Sequence, residues 1–409
     1  MKIARIETIL TCPDRNYLIV KITADSGLVG YGDATLNGRE LAVQALIERH
    51  LSSWLTGWDA GAIEKIWQSV LRQQYWRGGA IQMTALSGID MALWDLKGKS
   101  LHAPVYSLLG GKSRDRIRVY LHAHGVNDDS LLRRCRELIA EGCTAIRYSF
   151  DTRDPARPGV VYRQAHQDIG AGPRIEVSEE DLRVIPRWDA ATYLRDLGRV
   201  TALLRTELGP EIDLIHDVHQ RLSPIMAARA ARTVEPFDLF FLEDPVEPLY
   251  KPGLKIVRER SATPIGVGEL FTTLQDCLPA LQNNWLDYLR LDISHAGGVT
   301  GIVKAAAVAD ACQILMALHG PSDISPLAHA ANFHVDTAIP NFGIQEFIHA
   351  DPRATEVFTA GYRYSEGYVT LEDLPGLGIE VDEKAAAGLP YAKSFLPLLQ
   401  DKDGGVQNW

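Results

Sequence analysis

The sequence predicts an α/β fold, a (β/α)8-type barrel carrying an α+β capping domain. Three observations lead there. From about Asp115 onward, eight short apolar runs alternate with segments that can be helices. Strand–helix alternation implies parallel strands, and eight of them imply a closed barrel. The first hundred or so residues have another texture, with strands first and helices after. The length of 409 residues also suits a barrel of about 250 residues plus a second unit. The expected division is 1–114 for the cap, 115–350 for the barrel, and 351–409 for a loop-rich segment returning to the cap.

The elements follow in order. KIARIETIL, NYLIVKITAD and GLVGYGDAT alternate as strands, with Gly-rich turn residues before the last, as in an antiparallel meander. From Asn37 to about Leu109 the pattern is helical. In TALSGIDMALWDLKGKSL, Leu86, Ile89, Leu93 and Leu96 recur at steps of three and four. Pro104 and Gly110–Gly111 then stop the helical pattern. The eight barrel runs are VYLHAHG, TAIRYSF, IDLIHDVHQ, LFFLEDPV, PIGVGEL, DYLRLDIS, ILMALHG and FGIQEF.

Composition narrows the function. Apolar residues make up 46% and charged residues 23%, as in a globular chain able to bury a large core. The net charge of −10 and the lack of any long basic run argue against nucleic acid as a partner. A small anionic ligand stays open, because a local cation overrides the global sign. Five scattered cysteines without a CxxC pair read as reduced thiols in a cytoplasmic protein. The start MKIARIETIL has no signal-peptide core, and no run of 18 apolar residues predicts a membrane span.

Barrel enzymes carry their chemistry at the C-terminal ends of the strands. Those ends hold Asp217, Glu243, Glu269, His319 and Glu346. The steps from 217 to 243, 243 to 269 and 319 to 346 are 26, 26 and 27 residues, about one βα unit each. Carboxylates in runs such as LFFLEDP are costly to bury alone, and one of them pairs with a buried Arg or Lys in the bland reading. Three on successive strands converge on one mouth and repel unless a cation lies between them. An oxygen-only set suits Mg²⁺ or Mn²⁺ rather than Zn²⁺, so Asp217, Glu243 and Glu269 are the expected metal ligands. His219, two residues after Asp217, and His319 are candidate acid–base groups beside them. Asp292 is placed to accept the N–H of His319 and raise its basicity.

These motifs resemble the enolase superfamily, whose barrels bind a carboxylate substrate on Mg²⁺ and remove its α-proton. GIDMALWDLKGKSLHAPVYSLLGG is similar to the helix that closes the family's capping domain, and HDVHQR, FLEDP, GVGE, HAGGVTG and HGPSD follow in family order. Within it the chain resembles the mannonate dehydratase subgroup, which includes D-mannonate and D-gluconate dehydratases and relatives described as starvation-sensing proteins. The resemblance rests on TCPDRNYLIVKI, GDATLNGREL, QYWRGG, HDVHQRLSP, SHAGGVTG, HGPSDISP, PNFGIQE, PGLGIE and the terminal Trp409. It implies Mg²⁺ on Asp217, Glu243 and Glu269, with His219, His319 and Glu346 lining the reacting centre. It also implies substrate contacts from Asn37 of the cap and His122 at the first strand end, and an assembly of four or eight copies; Asp292, Glu346 and Trp409 complete the expected substrate-binding set.

The second barrel strand reads AIRYS, so Arg147 and Ser149 replace the Lys-x-Lys pair of many superfamily members. The dehydratase subgroup has Arg there, paired with a loop Tyr that acts as base. Tyr162 in GVVYR is the expected Tyr, with Tyr148 as its competitor; the loop 151–186 around it reads as a lid. Asp292 stands where the subgroup usually has an uncharged residue and resembles the His–Asp pair of racemases, here His319–Asp292. Pro321 resembles members that favour gluconate or have little activity. The implied reaction is removal of the C2 proton of a C6 sugar acid and loss of its C3 hydroxyl. His219 or the Tyr162/Arg147 pair takes the proton. The alternatives are a sugar-acid-binding or regulatory relative, an epimerase, and a metal hydrolase using the His122–Ala123–His124 pattern.

Overall fold

The computed structural model of the chain describes residues 1–73, 75–153, 161–162, 187–393, 399–401 and 403–408. Ile3–Thr11, Tyr17–Ala24 and Val29–Asp33 form the expected three-stranded antiparallel meander, in that order. Its register sets Ile9 opposite Ile19 and Ile22 opposite Gly30. The middle strand is buried on both faces. Leu18, Val20 and Ile22 enter the core of the cap, and Tyr17 and Ile19 enter the larger core shared with the barrel.

The 22-residue helix Ala80–Leu101 packs on the third strand. A Cβ at Gly30 would strike the Ala92 carbonyl, and one at Gly32 would strike that of Gly88. These glycines therefore serve close helix–strand approach rather than a turn; the turn glycine is Gly27, at φ +85°. The stripe Leu86, Ile89, Leu93 and Leu96 lies in the cap core as its periodicity predicts. The opposite face is buried too, because the barrel covers it. Thr84, Ser87, Asp90 and Asp95 are each at most 1% exposed, and Asp95 accepts from the backbone N–H of Tyr31 (2.9 Å) and Leu377 (2.8 Å).

All eight apolar runs contain barrel strands: Ile117–Gly125, Ala145–Phe150, Asp213–Asp217, Phe241–Glu243, Ile265–Val267, Tyr288–Leu289, Leu315–Met316 and Gln345–Glu346. Each of the first six pairs in parallel with the next in sequence. The eighth pairs in parallel with the first. A Met316–Phe342 bridge, held by Met316 N–H to Asn341 O and Gly343 N–H to Met316 O at 2.8 Å each, links the seventh strand to the approach of the eighth and completes the ring. Tyr120, Ala145, Ile215, Phe241, Ala317 and Ile344 fill the barrel interior, as the layered core of such a barrel requires. Helices fill the intervals between strands, two of them opened by capping boxes at Asn127 and Thr273.

The C-terminal stretch divides between the two units. The hairpin Tyr362–Ser365 and Tyr368–Leu371 adds antiparallel to the start of the first barrel strand, with Tyr368 opposite Arg118. Glu383–Ala387 then returns to the cap, where Thr11 Oγ1 donates to Ala386 O (3.0 Å) and Cys12 N–H to Leu389 O (2.7 Å). None of the five cysteines is in a disulfide. No helix among the described residues is long and apolar enough to cross a membrane.

Candidate active site

Parallel register brings the acidic strand ends together. Glu243 stands opposite Asp217 on one neighbouring strand and Gly266 on the other, two residues before Gly268–Glu269. Glu243, Asp244 and Glu269 each present a carboxylate oxygen within 4.8 Å of the others. All three are buried, Glu243 and Asp244 completely. Asp217 lies alongside, its Oδ2 3.5 Å from Arg147 Nη1 and its Oδ1 accepting from His219 N–H at 2.7 Å. The sequence expectation did not include Asp244. At φ +35° the chain leaves the extended strand, so the alternation that would send Asp244 to the far side of Glu243 no longer applies.

Two guanidiniums balance this charge. Arg147 Nη1 donates to Glu243 Oε1 (2.8 Å) and lies 3.2 Å from Glu346 Oε1. Arg290 is fully buried. It donates to Glu346 Oε2 (2.8 Å) and Tyr120 Oη (2.8 Å), and reaches Glu243 at 2.9 Å and Glu269 at 3.5 Å. Burial works against both cations, yet Glu243 and its neighbours hold them firmly charged. Burial raises the Glu243 carboxyl against the pull of Arg290 and Arg147, and raises Asp244 further with Glu269 adding to it. Burial would raise Glu346 too, but Arg147, His319 and Arg290 hold it well below the usual range.

The histidines ring this cluster. His319 Nδ1 lies 2.8 Å from Asp292 Oδ2, and its Nε2 is 3.4 Å from Glu269. Burial lowers the His319 pKa, but Glu346, the Asp292 hydrogen bond and Glu269 outweigh it and bring it up to about 9. His219 Nε2 lies 3.7 Å from Glu269. His219 and Gln220 sit at φ +56° and +63°, where side chains other than glycine are strained by about 1–3 kcal/mol each, a strain that clusters at functional sites. His122 has both ring nitrogens among protein groups: Nε2 is 2.7 Å from Glu346 and Nδ1 3.3 Å from Arg147 Nη2. His124 Nδ1 bonds Ser149 Oγ at 2.9 Å.

A cavity of about 530 Å³ opens above the cluster, lined among others by Asn37, His122, Arg147, His219, Glu269, Asp292 and His319. It thus gathers these seven residues and Pro321, all singled out from the sequence, with Asp217, Glu243 and Glu346 buried in the network beneath. At the cap end Asn37 Nδ2 donates to Asp323 Oδ2 (3.0 Å), and Arg15 pairs with the same carboxylate. Tyr162 belongs to a two-residue strand, Val161–Tyr162, paired antiparallel with Thr152–Arg153; its side chain lies outside the described residues, as does Trp409. Tyr148, the competitor, is fully buried with its hydroxyl 2.6 Å from Thr201 Oγ1, so it faces the surrounding helix rather than the cavity.

The donor set fits a hard divalent cation. Glu243 Oε2 and both oxygens of Asp244 are buried with no hydrogen-bond partner among the described residues. Buried carboxylate oxygens left without partners are costly, and an oxygen-binding cation satisfies them without sulfur or nitrogen ligands. Sequence reasoning missed Arg290 although its signal was present. In YLRLD it stands two residues before Asp292 and so shares its inward face.

Two family descriptions match the chain. The mandelate racemase/muconate lactonizing enzyme N-terminal domain covers residues 5–110, and an enolase C-terminal domain-like region covers 130–385. A D-galactonate dehydratase family member, ManD, of Chromohalobacter salexigens is 39% identical with all of both chains covered. A D-mannonate dehydratase of Caulobacter vibrioides is 40% identical, again with all of both chains covered. A crystal structure of an enolase from Pantoea ananatis with bound D-gluconate and magnesium superposes with a TM-score of 0.90 at 37% identity, over the whole of both chains. With both domains matched and full-length relatives near 40% identity, the chain belongs to the enolase superfamily and, within it, to the D-galactonate dehydratase family of hydro-lyases.

Proposed function

We propose that the chain dehydrates a six-carbon aldonate, D-gluconate or D-mannonate, to 2-keto-3-deoxy-D-gluconate. The observation that carries this is three buried carboxylate oxygens, Glu243 Oε2 and both of Asp244, without a hydrogen-bond partner among the described residues, beneath a cavity lined by histidines. Glu243 and Glu269 would hold Mg²⁺, with Asp217 and Asp244 as the remaining carboxylate donors beside them. When bound, the ion offsets the substrate carboxylate and the negative charge that develops as C2 loses its proton. Arg147 and Arg290 hold Glu346 ionised, oppose the burial that raises Glu243, and add fixed positive charge at the cavity floor. His219 accepts the C2 proton when that proton faces the end of the barrel strand Asp213–Asp217, and the Tyr162/Arg147 pair serves the opposite configuration, with Tyr162 as the base. His219 then gives a proton to the departing C3 hydroxyl. The C2–H and C3–O bonds break, water leaves, and the resulting enol becomes the 2-keto acid. Asn37, His122, Glu346 and Trp409 would orient the chain of hydroxyls.

The assignment is tested by chelation and by one variant. Exhaustive EDTA treatment should abolish keto-acid formation, and added Mg²⁺ should restore it. His219→Asn should lose about 10²–10⁴-fold in kcat while still binding the acid. Wild-type turnover in either case contradicts the reading. The 2.8 Å contact between His319 and Asp292 favours one second reading, an epimerase in which His319 serves the face opposite His219. C2 hydrogen exchange in deuterated water without keto acid would support it.

A further inference from the structure

His295 lies on the cavity wall and has no part in the chemistry above. Its setting is a clasp between the two units. From the cap helix Ala80–Leu101, three buried side chains spaced three residues apart each grip the loop and helix start after the sixth barrel strand. Thr84 Oγ1 meets His295 Nδ1 at 2.8 Å. Ser87 Oγ accepts from Gly297 N–H (2.9 Å) and Gly298 N–H (3.1 Å), and Asp90 Oδ2 accepts from Thr300 N–H (2.9 Å). The ring is therefore held at one nitrogen by a hydroxyl that is itself 0% exposed.

The other nitrogen is left over. His295 Nε2 is 4.0 Å from Asp292 Oδ2, beyond hydrogen-bond range, and that oxygen already engages His319. The side chain keeps 21% of its surface exposed, on the cavity side. A ring fixed at Nδ1, with Nε2 turned to a polar cavity, has the form of a directional contact for a hydroxyl group. We propose that His295 is a specificity-determining residue that offers Nε2 to a hydroxyl of the bound sugar acid, and that Thr84 is the positioning residue that sets its ring. The identity of the ligand rests on the dehydratase reading; the geometry of the contact does not.

The two amides that mimic an imidazole separate the parts. His295→Asn places its amide near the Nδ1 position, keeping the Thr84 link and losing the Nε2 contact. His295→Gln reaches the Nε2 position and gives up the link. With the Mg²⁺-loaded protein, calorimetric binding of D-gluconate and D-mannonate should weaken about tenfold in His295→Asn, the loss of one good hydrogen bond. It should weaken less in His295→Gln. Thr84→Val should fall between, and Thr84→Ser, which keeps the hydroxyl, should restore affinity at an unchanged melting temperature. Wild-type affinity in His295→Asn, an equal loss in His295→Gln, failure of Thr84→Ser to rescue, or a loss confined to kcat each overturns the proposal. A wild-type protein that binds neither acid overturns the dehydratase reading along with it, so the two failures are distinguishable.

Discussion

At the scale of single residues, the site is a charge network whose members cannot be removed independently. Arg290 touches three carboxylates and is wholly buried. Arg290→Met would leave Glu243 and Glu346 with Arg147 as the one guanidinium they share, so unfolding in urea should show a loss of about 3–5 kcal/mol, the cost of breaking a buried pair from one side. Full stability would mean that Arg147 alone carries the compensation. The carboxylates at 217, 243, 269 and 346 were legible because one βα unit separates successive strand ends, so their spacing betrays a shared mouth. Asp244 was not legible. Its membership depends on a left-handed backbone angle that nothing in FLEDP announces. Likewise the Arg15–Asp323 and Thr84–His295 contacts join residues more than two hundred positions apart, beyond the reach of any local pattern.

At the scale of elements, the cap helix Ala80–Leu101 does more than its periodicity suggests. The apolar stripe was readable, but the polar face is buried against the barrel, and only the second layer of packing explains why Thr84, Ser87 and Asp90 stand there. Asp90 gives this a pH signature. Burial raises its pKa from 3.8 to about 7, against the hydrogen bonds from Thr300. A carboxyl whose folded pKa lies above its unfolded value favours the folded state below about pH 4, and that contribution is lost as pH rises through about 7. Melting temperatures across pH 4 to 8 should therefore show Asp90→Asn gaining on the wild type as pH rises and levelling off above about 7. A constant difference would show that Asp90 is ionised throughout. The strand beneath offers a second check. Gly32→Ala would drive a Cβ into the Gly88 carbonyl, a backbone clash that cannot relax cheaply, so thermal unfolding should occur at a lower temperature. An unchanged melting temperature would show that the helix can lift away without cost.

At the scale of the whole molecule, the fold explains how a chain of net charge −10 can receive an acid. The acidic residues that matter face inward around two guanidiniums and a cation-compatible oxygen set, while the cap closes over the strand ends with Asn37 and Arg15 joined to Asp323. The global charge argued against nucleic acid, but the local balance at the barrel mouth decides what binds. The central claim is metal-dependent elimination from an aldonate. Its most direct test is to incubate the full-length protein with D-gluconate, D-mannonate and a panel of related sugar acids, with and without Mg²⁺, and to quantify 2-keto-3-deoxy acid. Product is expected from one or both of those two acids, only when the metal is present. Keto acid formed equally in its absence, or C2 exchange with no keto acid from any member of the panel, would contradict it.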